Sequence, residues 1–79
     1  MTKNEFISLR RGDAITNQDK ELFIVRVPIL VQDPTDSQTI FAYKQDDDTL
    51  EIDIMVANHN LWSKTGQQFD VITDEKINL

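Results

Sequence analysis

One stretch dominates the alternation of apolar and polar positions: "LFIVRVPILV", residues 22–31, rich in β-branched and aromatic side chains and lacking a helical period. On an extended chain Phe23, Val25, Val27, Ile29 and Val31 share one face. Leu22, Ile24 and Leu30 share the other, interrupted by Arg26. A strand apolar on both faces is either central in a sheet or bends so that each half serves a different core. Pro28 cannot donate to a ladder, which points to an edge or a bulge at that place. A bent strand passing from one sheet to another meets both demands.

The next pattern, "IFAYKQDDDTLEIDIMVA" at 40–57, reads as two strands joined by an acidic turn. Five of the eight positions from Asp46 to Asp53 are carboxylates: Asp46, Asp47, Asp48, Glu51 and Asp53. A turn centred between Asp47 and Asp48 sets Lys44 opposite Glu51, Tyr43 opposite Ile52 and Phe41 opposite Ile54. That register pairs aromatic with β-branched residues on one face and opposite charges on the other. A slip of one residue would set Tyr43 against Glu51 and turn the apolar set to water. Ile40 and Met55 then fall on the nominally wet face. They are buried there if the sheet curls, or form an apolar patch beside the acids.

The remaining segments are weaker. Thr2 and Glu5 have capping-box spacing, so one or two helical turns fit with Phe6 and Leu9 on one face, although "FISL" also fits a short strand. Gly12 and Asp13 break the pattern before a first strand at "AITNQ". "DPTDS" at 33–37 is turn chemistry. "NHNLWSKTG" is too polar for a strand and has room for a 3-10 or α turn around Leu61 to Lys64. "QQFDVIT" reads as the last strand, with Phe69 and Val71 inward. "DEKINL" is a tail that Ile77 and Leu79 could tack to the core.

The sum is one all-β domain over residues 1–79: a small five-stranded, strongly bent sheet, or an SH3-like barrel with a short helical turn. The strand spacing from about residue 13 to 73 resembles the layout of SH3-like small barrels. The aromatic peptide groove of SH3 domains is missing, because "FAYKQDD" alone does not supply the partner aromatics. An open α+β sheet with a short N-terminal helix is the alternative.

Charge sharpens this picture. Residues 1–32 hold five Lys/Arg and four Asp/Glu, a net of +1; residues 33–79 hold three and ten, a net of −7. Such a field repels nucleic-acid phosphates and anionic lipid, so neither nucleic acid nor membrane is an expected partner; a local patch of Arg10, Arg11 and Lys20 would have to work against it. The apolar run is too short, and too interrupted by Arg26 and Pro28, to span a bilayer. With no cysteine there is neither a disulfide nor a Cys-based metal or redox site, and a cytoplasmic setting is expected.

No catalytic constellation stands out. His59 is the sole histidine, and its spacing to Asp53 and Ser63 does not specify a triad. Two glycines, Gly12 and Gly66, cannot build a phosphate-cradling loop. An EF-hand starting at Asp46 lacks its glycine and ends on Ala57 instead of Glu. "RGD" at 11–13 matches the integrin-binding tripeptide, but Gly12 as a turn and Asp13 as a strand entry explain it better. Trp62 is either a lid on the core or an exposed interface anchor, and the small core favours the lid.

The sequence therefore leads to a non-enzymatic interaction module without cofactor or metal, binding a protein partner with basic character or assembling with its own copies. Its contact residues are expected among Asp46, Asp47, Asp48, Glu51, Asp53, Ile40, Met55 and Trp62. Two rivals remain. One is a DNA-mimic inhibitor of a nucleic-acid-binding protein, a style known among phage and mobile-element products. The other is a structural subunit of a larger assembly.

Overall fold

The computed structural model describes residues 1–29 and 38–71. The turn expected at 33–37, the strand residues Leu30 and Val31, and the tail with Ile77 and Leu79 lie outside the described residues.

Five strands, β1 (Asp13–Thr16), β2 (Leu22–Val27), β3 (Thr39–Lys44), β4 (Asp47–Met55) and β5 (Ser63–Gln68), form one antiparallel sheet in the order β4-β3-β2-β1-β5. The sheet is not closed into a barrel. β2 is its central strand, so its two apolar faces need no passage between sheets. Phe23 and Val25 enter the main core, while Ile24 is buried on the second face with its cross-strand neighbours Ala14 and Tyr43.

The break signalled by Pro28 takes the form of a bulge. Val25 pairs with Ala42 and Val27 with Phe41, leaving Arg26 as the extra residue, and β2 ends at Val27. One inserted residue reverses the alternation beyond it. Val27 consequently leaves the face of Phe23 and Val25 and stands 44% exposed.

The helix of the α+β alternative is present, on a domain that is mostly β. α1 (Lys3–Ile7) carries a complete capping box: Glu5 N–H donates to the Thr2 hydroxyl at 3.1 Å, and Thr2 N–H donates to Glu5 Oε1 at 2.8 Å. Those bonds satisfy two donors that a helix start leaves orphaned. Phe6 and Leu9 are both buried. α1 packs against a 3-10 segment, Val56–Leu61, that leads out of β4, and together they cover the first face of the sheet. Trp62, next in sequence, closes this layer with its ring edge-on to Phe23 at 5.4 Å and 88°. It is 8% exposed and belongs to the core.

β5 departs from expectation. Among the described residues the last strand is "SKTGQQ", not "QQFDVIT", whose Ile72 and Thr73 lie outside them, and Phe69 and Val71 follow it half-buried. Nearly all its side chains are in water, so alternation carries no signal. Main-chain pairing with β1 forms the strand, helped by the Thr65 hydroxyl donating to the Ala14 carbonyl at 2.8 Å.

Candidate partner-binding surface

The acidic hairpin is a hairpin, but in the register the side-chain pattern argued against. Ile40 pairs with Ile54, Ala42 with Ile52, Phe41 with Asp53 and Tyr43 with Glu51. Tyr43 and Ile52 therefore lie on opposite faces, and the expected pairing of Lys44 with Glu51 gives way to Lys44 with Asp47. The cause is local. The chain turns at Gln45–Asp46, and the residues between Asp47 and Glu51 bulge out of β4. Asp47 Oδ1 holds this bulge by accepting from the Thr49 N–H at 3.2 Å and from its hydroxyl. The Thr49 hydroxyl, then its N–H, keeps the Asp47 carboxyl below its ordinary range.

This register decides what each predicted residue does. Ile40 goes wholly into the core, with no surface left for a partner. Met55, opposite Thr39, stands 44% exposed at the end of β4. Trp62 serves the core. Asp46, Asp47, Glu51 and Asp53 are exposed; the Asp48 side chain lies outside the described residues.

The face carrying Glu51 and Asp53 is not simply the wet side. It also holds Phe41 and Tyr43, and Tyr43 is 2% exposed. The Arg26 guanidinium lies over the Tyr43 ring, 4.7 Å from its centroid, and Nη1 reaches Glu51 Oε2 at 3.2 Å. Arg26 thus spans from β2 across β3 to β4, a cation–π contact and an ion pair on one side chain. At the turn, Lys44 Nζ stands 3.3 Å from Glu21 and 4.0 Å from Asp46. The Asn17 amide, then Lys44, lowers the Glu21 pKa. Arg26 is the neighbour that the linear sequence does not connect to the acids, and only the strand order brings it to Glu51; Lys44, close to the acids in sequence, gains Glu21 in the same way.

The other candidates lie elsewhere in the fold. His59 sits in the 3-10 segment, its Nδ1 2.7 Å from the Met1 carbonyl oxygen. In the "RGD" tripeptide Gly12 is buried at φ +97°, and Asp13 opens β1 while its Oδ2 accepts from the Arg10 N–H at 2.8 Å. Among the described residues no group of three or more His, Asp or Glu side chains is placed to hold a metal ion, and no helix is long and apolar enough to cross a membrane. Compared with protein-family models, curated proteins and solved structures, the chain finds no match.

Proposed function

We propose that this chain is a non-enzymatic protein-interaction module of the cytoplasm, whose contact surface is the acidic β4 and its turn and whose partner presents basic side chains. One observation carries the reading: on β4, Leu50 and Met55 are 43% and 44% exposed on a strand whose Asp47, Glu51 and Asp53 are also exposed. Exposed apolar side chains beside carboxylates supply what an interface combines, apolar contact with charges that orient the partner. The strand order, with a 3-10 segment before the last strand, supports a kinship in layout with SH3-like domains in an unclosed form. The DNA-mimic alternative has less to rest on, because Arg26 and Lys44 sit among the anions it would need uncompensated.

The test is affinity capture from native extract with the wild-type chain and with Asp46→Lys/Asp53→Lys, each at low and high salt. These two carboxylates hold neither the bulge nor the Arg26 pair. Wild type is expected to retain a protein that salt releases and that the variant does not bind. Equal recovery on both chains would remove the proposal.

A further inference from the structure

The two edges of the sheet differ in their main chain. β5 is irregular: its register against β1 shifts between Asp13 and Ile15, and Gly66 sits at φ +82°. Such a bulge twists an edge away from further pairing. β4 has its bulge at one end, between Asp47 and Glu51, and beyond it keeps one register from Glu51 to Met55. Among the described residues no strand lies on its outer side.

The direction of its main-chain groups follows from one hydrogen bond. Val56 N–H donates to the Gln38 carbonyl at 2.9 Å, in the same register as the pairs Ile54–Ile40 and Ile52–Ala42. Antiparallel ladders alternate, so Ile54 and Ile52 also turn their N–H and C=O groups toward β3. Those of Glu51, Asp53 and Met55 point outward. The side chains of these same three residues share the second face, and all three are exposed.

We propose that the outer side of β4 takes up an extended segment of the partner by strand addition, and that this segment carries Lys or Arg at alternate positions followed by an apolar residue. The inference rests on the interaction reading above and names its mode. Main-chain bonds to Glu51, Asp53 and Met55 hold any extended chain. Charge then selects among chains. Residues two apart on a strand are separated by about 6.6 Å, so alternate cations on the added strand meet Glu51 and Asp53 together, and the next same-face position meets Met55. A second copy of this chain pairing through β4 would bring Glu51 and Asp53 against like charges, which the same geometry disfavours. A helix presents no free main-chain groups to the edge.

Two synthetic peptides of equal charge separate the possibilities: one alternating Lys and Val with an apolar residue in the Lys phase at each end, the other the same sequence with its central main-chain nitrogens methylated, so that whichever way it runs it donates no main-chain hydrogen bond there. Titration followed by amide NMR is expected to shift Glu51, Asp53 and Met55 with the alternating peptide. The N-methylated peptide is expected to bind about tenfold more weakly, as loss of one or two such bonds implies. On the protein, Met55→Pro removes one outward N–H at φ −78°, an angle proline adopts, while Met55→Ala keeps it. Only Met55→Pro should weaken the alternating peptide to that extent. Equal binding of both peptides, equal effects of both variants, or shifts confined to β5 would overturn strand addition and leave the charged surface standing. No binding of either peptide would overturn both.

Discussion

Gly12 joins three strands, and replacing it by alanine should damage the fold more than any exposed change. Its N–H donates to the Val25 carbonyl of β2 at 2.8 Å, and its carbonyl accepts from the Phe69 N–H beyond β5 at 2.9 Å. The backbone sits at φ +97°, where an L side chain costs about 1–2 kcal/mol. A Cβ there would lie 2.6 Å from the Phe69 carbonyl oxygen, a main-chain atom that cannot swing aside. Displacing Phe69 weakens its bond to Gly12, worth about 1 kcal/mol. Together these give on the order of 3 kcal/mol for Gly12→Ala, a large share of a small domain's stability. Gly66→Ala is the internal control: φ is also positive, at +82°, but nothing lies within 4 Å of its Cβ, so about 1 kcal/mol is expected. Urea unfolding followed by Trp62 fluorescence measures both. Equal losses for the two variants would refute the role assigned to the Phe69 contact.

Two further tests address the hairpin. Phe41 and Asp53 face each other in a pair not bridged by hydrogen bonds, where Cα atoms approach to about 4.5 Å. Phe41→Cys/Asp53→Cys should therefore oxidise to an intramolecular disulfide, as seen by a thiol assay, whereas Phe41→Cys/Ile54→Cys should not; the reverse result would restore the register that residue types favoured. Carboxylate NMR should place the Asp47 midpoint below its ordinary 3.8, and Thr49→Val, which removes the hydroxyl but keeps the N–H, should move it part of the way back up. Because folding lowers this pKa, its stabilising effect is complete above the unfolded value and is lost as pH falls through the folded one, so the wild-type advantage over Thr49→Val should vanish only below pH 3.8. An advantage that grew on acidification would contradict the assignment.

Short-range chemistry made some elements legible. Thr2 and Glu5 announce α1 because their side chains bond within one turn, and Gly12 announces a turn because few other residues tolerate its φ. Elements set by distant main-chain pairing left weaker traces. β5 is a strand because β1 is beside it, and "SKTGQQ" shows no alternation to reveal that. The hairpin register failed for a subtler reason. Matching residue types assumed an uninterrupted ladder, yet the bulge adds an odd number of residues to β4. Its local signal was the Asp-x-Thr spacing of Asp47 and Thr49, an arrangement in which a carboxylate bonds the backbone two residues on. The same carboxylates were legible as exposed anions with Lys44 near them, but the Arg26 pair of Glu51 was not, since Arg26 reaches it only through the strand order.

The two bulges act together. In β2 the extra residue is Arg26; in β4 the extra residues set Glu51 opposite Tyr43. Had β4 kept the register of its Lys44–Asp47 pair, Tyr43 would face Asp48, and Glu51 would be displaced along the sheet from the guanidinium. With both bulges present, one cation covers the buried Tyr43 ring and meets the first acid of the regular part of β4. Glu51 is thereby partly compensated, with its side chain 37% exposed, while Asp53 stands exposed opposite Phe41. An added basic strand would consequently gain more from its cation at Asp53 than from the one at Glu51. Asp53→Asn should cost the alternating Lys/Val peptide more affinity than Glu51→Gln, the opposite of what two equivalent surface carboxylates would give.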